Sequence, residues 1–452
     1  MKEIEQKETP AALPAEEEKT EAALPSGEAK KHGDRAWWWV PTLYFAEGLP
    51  YMAVMTISTV MYKCLGVGNT ELAFYTAWLY LPWVIKPFWS PFVDIIRTKR
   101  WWVLTMQMVI AVCMAAIAFV LPVSGFFAAT LAVFWLMAFA SATHDIAADG
   151  FYMLGLSEHR QSMFVGIRSL FYRVSMVIGQ GALVIVAARV SDAWAQPKAG
   201  WILVFGILAA FFVLAVLYHS IVLPRPAADA DREPRSAGEV MREFAETFID
   251  FFRKPQVGVA ILFMLLYRLP EAQLVKMITP FMLDPVEQGG LGLTADQVGL
   301  AYGTIGVIGL MLGGIVGGLV ASRNGLRYWL HPMAWSMSLT CLTFVYLAFA
   351  QPSALWQVYA CVAVEQFGYG FGFTAYMLYL IYFSVGRFKT AHYSICTGFM
   401  ALGMMLPGMA AGWIVDTFSY TTFFIWTMVC CAATIGVCYL IKVDSRFGKK
   451  GE

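Results

Sequence analysis

The sequence predicts an all-α, polytopic membrane protein: twelve transmembrane helices in two pseudo-symmetric six-helix bundles. Three observations lead there. The 452 residues are 59% hydrophobic and only 14% charged, whereas a soluble domain runs near 45–50% apolar and about 25% charged. The apolar residues gather into segments of about twenty residues or more, the length that crosses a bilayer as a helix. The second half of the chain also repeats features of the first.

Residues 1–35 are rich in Glu, Lys, Ala and Pro and have no apolar core, so they read as a disordered tail and not as a signal peptide. Twelve apolar segments follow, at 37–62, 71–93, 102–122, 125–151, 162–189, 200–223, 256–283, 295–321, 328–350, 354–384, 391–415 and 420–442, here spans 1 to 12. Spans 1–6 make an N-terminal bundle (36–223) and spans 7–12 a C-terminal bundle (255–443), with a second tail at 444–452. Trp37, Trp38, Trp39, Trp101, Trp102, Phe418 and Tyr420 fall near span ends, as an interfacial aromatic belt would.

Between the bundles, 224–254 is a polar linker. Ser236 and Glu239 form a capping-box pattern there, and Val240, Phe244, Phe248 and Phe252 recur every fourth residue. An amphipathic helix lying on the membrane face is expected.

Most of the 32 basic residues fall on one side of these spans: both tails, Arg97 to Arg100, Arg160, the linker, Arg323 and Arg327, and Arg387 and Lys389. The other side holds only Lys63, Arg189 and Lys198. By the positive-inside rule the crowded side, with both termini, is cytoplasmic.

The net charge of +1 gives no basic field, so no nucleic-acid partner is expected. The eight cysteines lie in or beside apolar segments without metal-ligand spacing and read as packing residues.

Leu49-Pro50 in span 1 and Leu269-Pro270 in span 7 are each followed by an apolar half-helix. A new helix then starts, at Thr70-Glu71 and at Thr294-Ala-Asp296, with Tyr75 and Tyr302 at comparable positions. Proline in mid-span removes a backbone hydrogen bond, and such breaks are tolerated where backbone faces protein or a wet cavity. A simple packing kink is the other reading of each. Gly309, Gly313 and Gly317 in span 8 have the spacing of close helix packing. Two six-helix halves joined by an inner linker resemble the major facilitator superfamily.

That resemblance implies that spans 1, 4, 7 and 10 line a central cavity, and the deeply placed ionisable residues concentrate on those spans. They are Glu47 in span 1; His144, Asp145 and Asp149 in span 4; Arg268 and Glu271 in span 7, with Lys276 further out; and Glu365, with Gln366, in span 10. Lys86 in span 2 and Arg168 and Arg173 in span 5 are the exceptions. Intramembrane charges mark a pathway or a structural ion pair. Asp145 and Asp149 share a helix face at i,i+4 and repel. One pairs with Arg168 or Arg173; the other is left to titrate. Asp145, the deeper, is the preferred proton carrier, with Asp149, Glu47 and Glu365 as the other coupling candidates. His144 and Asp145 point about 100° apart, so no metal site is expected, and His144 reads as cavity wall or helix contact.

Tyr44, Tyr51, Tyr267, Tyr369 and Tyr376 offer aromatic faces for a pyranose. Gln366, Glu365 and Glu47 can meet its hydroxyl and N-acetyl groups, and Arg268 can meet a carboxylate. The structural alternative is that the tyrosines line helix contacts and Arg268 pairs with Glu271. Asp94, Arg97 and Arg100 resemble a degenerate form of the superfamily's gating loop between spans 2 and 3. Span 5 lacks the Gly-Pro pair of antiporters, which favours symport. No activated nucleophile accompanies the charges, so no enzyme is expected.

Several local motifs narrow the resemblance. Ser141-Ala-Thr-His-Asp145-Ile-Ala-Ala-Asp149, Glu47-Gly-Leu-Pro50, Leu81-Pro-Trp-Val-Ile-Lys86-Pro-Phe-Trp-Ser-Pro91, and Lys389-Thr-Ala-His-Tyr-Ser394 with Gly412-Trp-Ile-Val-Asp416 are similar to signatures of the AmpG-type muropeptide permeases, in the peptide–acetyl-CoA transporter family. The likeness runs from about 37 to 442. It implies a monomeric, proton-linked importer in the inner membrane of a Gram-negative cell, driven by the proton gradient without a cofactor. The implied substrates are GlcNAc–anhydro-MurNAc sugars with or without peptide. The chain departs from the family at His144, where glutamine is usual, and at Gly150-Phe-Tyr-Met, where a more polar stretch is usual. Another disaccharide or glycan fragment is the neighbouring reading. A non-transporting membrane sensor is the reading from a different class.

Overall fold

The computed structural model describes residues 26–156, 158–226, 229, 237–386, 388–444 and 447. They are helical throughout, with no strand among them. The helices below take the numbers of the spans they match. Helix 1 runs Ser26–Met52, through a π-helical turn (Ala53–Ile57), into Ser58–Cys64. Helix 2 is Asn69–Trp78 and, after a two-residue turn, Leu81–Ile95. Helices 3 and 4 are Lys99–Val120 and Phe126–Gly155. Helix 5 is Glu158–Val177, a π turn (Ile178–Ala182) and Leu183–Ala193; helix 6 is Ala199–Val222.

The linker helix is Ala237–Arg253. Helix 7 is Val257–Leu266 and Leu269–Leu283. Helix 8 is Ala295–Leu300, a π turn (Ala301–Gly306) and Val307–Asn324. Helix 9 is Leu326–Thr340 and Leu342–Ala350. Helices 10, 11 and 12 are Leu355–Ser384, Lys389–Thr417 and Tyr420–Leu440.

Among the described residues nine of these helices are long and apolar enough to cross a membrane. Helices 1, 2 and 10, which carry more charged, aromatic, proline and glycine residues, are not among them. Polar caps fix several starts. Thr98 accepts from the Trp101 amide at 3.1 Å, Thr294 and Gln297 close a capping box, and Ser419 accepts from the Thr422 amide at 3.1 Å.

The structure corrects several expectations. Helix 1 starts at Ser26, inside the segment expected as a tail; residues 1–25 lie outside the described residues. Pro50 does not break helix 1, which stays α-helical to Met52 and widens into its π turn just after. Helix 7 does break, at Tyr267 and Arg268, and Pro270 sits in the first turn of the restarted helix, where its missing N–H costs nothing. Trp39 is buried against Phe151 and Tyr420 is buried, while Trp37, Trp38, Trp101 and Phe418 are exposed. Three consecutive helical residues point 100° apart and cannot all face lipid.

The linker's apolar stripe is Phe244, Phe248 and Phe251, and Phe252 is exposed. A strict every-fourth series drifts about 40° per step around a helix, which carries Phe252 off the stripe. The stripe faces protein: Phe244 and Phe248 lie on Phe88 of helix 2, and Phe251 packs with Phe383, His392 and Phe399 of helices 10 and 11. The expected Ser236 cap lies outside the described residues. Lys254 ends the linker by donating to the carbonyls of Phe383 (2.6 Å) and Val385 (2.9 Å), and burial pulls its pKa below the ordinary lysine value.

Candidate functional site

The two halves meet closely on the side away from the chain ends and linker. There the Lys63 ammonium lies 2.6 Å from Asp284 and donates to Asn69 Oδ1 at 2.6 Å. The Tyr420 hydroxyl donates to Asp284 at 2.5 Å, and Thr70 donates its amide and hydroxyl to Asp416 at 2.8 and 2.6 Å. Helices 5 and 8 cross at their π turns. A methyl group on Gly303 would lie 2.3 Å from the Gln180 carbonyl, so only glycine permits that approach. Deeper in, Lys276 of helix 7 reaches Thr76 of helix 2 at 3.1 Å. Toward the chain-end side, Glu158–Val177 and Val307–Asn324 barely touch, whereas helices 2 and 11 stay together. The space between the halves therefore opens toward the chain-end side.

Against this space the N-terminal half places a five-membered charge cluster. Glu47 comes from helix 1, Lys86 from helix 2, Asp145 and Asp149 from helix 4 and Arg168 from helix 5. Lys86 forms an ion pair with Asp145. The Arg168 guanidinium sits 3.1 Å from Asp149 Oδ1, covers the Tyr44 ring at 4.5 Å and donates to the Tyr44 hydroxyl at 2.9 Å. That hydroxyl donates to Asp149 at 3.0 Å. Glu47 is buried beside Asp145 and Asp149, within their electrostatic reach, and its Oε2 is shielded from water without a hydrogen-bond partner. Three acids thus face two paired cations, and one proton makes the cluster neutral. Gly48 brings helix 1 against helix 5 here: a methyl on it would lie 1.9 Å from Ser175 Oγ.

The C-terminal half contributes Arg268, a buried cation at the break of helix 7. Its guanidinium donates to the Tyr369 hydroxyl and covers the rings of Tyr369 (5.3 Å) and Phe373 (4.9 Å). Its Nε is buried without a hydrogen-bond partner. Glu271 and Glu365 are buried nearby, and Gln366 donates to Glu365 at 2.8 Å. Arg268 and Glu271 lie in electrostatic reach but make no ion pair.

Several expected residues stand elsewhere. Asp145 is not left free: Lys86 takes it, and the unpaired acid is Glu47. Arg168 is the partner of Asp149, and Arg173 lies beside Tyr172 and Tyr369 without an ion pair among the described residues. Tyr267 and Tyr376 are fully buried packing residues. Their hydroxyls are consumed by the carbonyls of Gly372 (2.9 Å) and Met264 (2.7 Å), because facing helices approach there. Tyr44 serves the ion pair. His144 is buried inside the N-terminal bundle, in a chain His144–Gln107–His219–Thr42 with links of 3.0, 2.9 and 3.1 Å. Its ring points to helix 3, away from the cavity. In the loop between helices 2 and 3, Arg100 holds the Ser220 and Leu223 carbonyls of its own half, Arg97 covers Trp101 at 6.0 Å, and the Asp94 side chain lies outside the described residues.

Reading by sequence also missed residues. Lys86 stood in a quoted motif, and its mid-span depth was the available signal. Tyr51 and Tyr80 lie close together, and both are in electrostatic reach of Arg268. Tyr172 and Tyr302 complete this seam. Tyr80, Tyr172 and Tyr302 sit on helices 2, 5 and 8, which the four-helix cavity rule leaves out.

The sequence profile of the Major Facilitator Superfamily matches residues 42–385. The anhydromuropeptide permease of Escherichia coli (strain K12) is 25% identical over 412 residues, 88% of this chain and 78% of that protein. The putative transporter AmpG 4 of Rickettsia conorii (strain ATCC VR-613 / Malish 7) is 24% identical over 399 residues, 86% of this chain and 92% of that protein. Among solved structures, a bacterial homolog of the human lysosomal transporter Spinster, inward-facing and unoccupied, matches with a TM-score of 0.68 at 13% identity, covering 91% of this chain and 97% of that one. A D-xylose-proton symporter matches with a TM-score of 0.69 at 11% identity, covering 90% and 96%. At those identities the structural likeness shows the fold alone.

Proposed function

Since the chain belongs to the major facilitator superfamily, a group of secondary transporters, we propose that it imports muropeptides, coupled to protons, by alternating access. The observation that carries the coupling is buried Glu47, an acid with no ion pair among the described residues, set beside the Lys86–Asp145 and Arg168–Asp149 pairs in a cluster of three acids and two cations. Protonated Glu47 makes that cluster neutral. Deprotonated, it leaves one unbalanced negative charge in a site shielded from water, which favours rearrangement. The proton-carrying role expected of Asp145 therefore passes to Glu47, because Asp145 is held in its ion pair with Lys86. Asp149 and Arg168 act as a structural ion pair.

Arg268 supports the substrate reading. It is a buried cation with a free Nε, framed by aromatic rings, and suits a carboxylate next to a sugar face. Anhydromuropeptide, the substrate in the relative's name, carries both. The chain-end side, rich in Lys and Arg, is assigned to the cytoplasm. The inner membrane is the expected location, and the structure then corresponds to a state open inward.

The test is uptake of labelled GlcNAc–anhydro-MurNAc into liposomes containing the purified protein. Accumulation should require an imposed proton gradient and should vanish with an uncoupler. Accumulation unaffected by the gradient removes proton coupling. Uptake of neutral disaccharides alone removes the muropeptide assignment.

A further inference from the structure

Helices 9 and 12 enclose a cleft of about 460 Å³ at the chain-end side of the C-terminal half, far from the charge cluster. Its walls are Arg327, Leu330 and His331 from the start of helix 9, and Tyr439, Ile441 and Lys442 from the end of helix 12, with two neighbours. The C-terminal segment returns to hold this corner, the Leu326 amide donating to the Phe447 carbonyl at 3.1 Å. Arg327 and Lys442 are exposed, and neither joins an ion pair or hydrogen bond among the described residues. None of the described lining residues is acidic. The His331 ring lies against Tyr439 at 4.5 Å, and its Nδ1 is shielded from water with no hydrogen-bond partner.

We propose that this cleft binds the phosphate headgroup of an anionic phospholipid. Two unengaged cations converge on one concavity, with the His331 ring in its wall, and a phosphate offers several oxygens to them at once. The cleft is too large for the phosphate alone and has room for the glycerol that carries it. Its rim is continuous with exposed apolar side chains on the same two helices: Trp335, Tyr439 and Leu440, at 46%, 70% and 53% exposure. Acyl chains can lie there while the headgroup enters. Basic pockets between membrane helices on the cytoplasmic side have this character.

Native mass spectrometry of the purified protein in detergent tests it, with dioleoyl phosphatidylglycerol, dioleoyl phosphatidylcholine and inorganic phosphate as probes. Phosphatidylglycerol should bind in preference to phosphatidylcholine. Arg327→Gln and Lys442→Gln should each weaken it about fivefold, and the double variant about thirtyfold. Arg323→Gln, at the same end but outside the cleft, should leave it unchanged. All three side chains involved are at the surface and are replaced by a polar group, and gel filtration with circular dichroism confirms folding. Equal phosphatidylglycerol binding by the double variant and the unaltered protein overturns the site. Inorganic phosphate displacing the lipid as well as a second phospholipid does overturns the lipid as its occupant.

Discussion

Replacing Glu47 by Gln tests the coupling most directly. The amide keeps the shape of the protonated acid and carries no charge, so the cluster stays neutral. The stability change should be under about 1 kcal/mol, the net worth of one ordinary hydrogen bond. Transport energetics should change far more. The substrate's carboxylate cancels the charge of one proton, so one-to-one uptake moves no net charge and is driven by the pH difference alone. Each pH unit is worth about 1.4 kcal/mol, so coupling to one proton sustains about tenfold accumulation per pH unit. Glu47→Gln should reduce the steady-state ratio to about one, while exchange of labelled for unlabelled substrate persists. Both are read in the same liposome preparation, inside against outside. A variant that still concentrates substrate many-fold under the gradient refutes Glu47 as the proton carrier. A variant that loses exchange as well points to a structural role.

Arg268→Ala should weaken binding of a carboxylated amino sugar about ten- to a hundredfold, the worth of one charge-assisted hydrogen bond, and a neutral disaccharide little; equal losses for both ligands would contradict the assignment. Lys86→Ala should lower the unfolding temperature by leaving Asp145 unpaired. A fully buried pair loses about 3–5 kcal/mol on such a change; here both side chains are about a fifth exposed, so less is expected, and adding Asp145→Ala should recover part of it. Gly303→Ala places a methyl group 2.3 Å from the Gln180 carbonyl and should prop open the side away from the chain ends. A cysteine introduced at Thr70 should then react faster with an impermeant thiol reagent, and an unchanged rate would show that the crossing tolerates the added volume.

The helices and their order were legible because apolar length and turn residues are local properties of the chain. Which deep charge pairs with which was not. Asp145 and Asp149 lie one turn apart on helix 4 and the sequence separated them only by depth, yet their partners arrive from different helices, Lys86 from helix 2 and Arg168 from helix 5. That assignment depends on how helix 4 is rotated in its bundle. The same rotation turns His144 to Gln107 and away from the cavity. Tyr267 and Tyr376 misled for a related reason. A tyrosine in an apolar helix looks alike whether its hydroxyl faces water or a neighbouring carbonyl, and here close packing of helices 7 and 10 supplies the carbonyls. The proline signals were half informative: both mark mid-span irregularities, but the turn opens after Pro50 and before Pro270.

The separation of the two charge groups constrains the mechanism. The proposed proton site is built entirely from helices 1, 2, 4 and 5, and the proposed substrate cation belongs to helix 7. Any coupling between them has to cross the seam between the halves. Glu47 and Tyr51 stand at i,i+4 on helix 1, so they share a face. Tyr51 lies beside Tyr80, both stand in electrostatic reach of Arg268, and Tyr172 lies in reach of Glu47 and Tyr51. A carboxylate bound at Arg268 would draw the cation from this seam, while a proton leaving Glu47 would add negative charge on the other side of it. Each event changes the electrostatic balance across the same few tyrosines. Binding and protonation therefore bias one interface, the one that must part when the protein turns to the other side of the membrane. Direct contact between the substrate and Glu47 is not required.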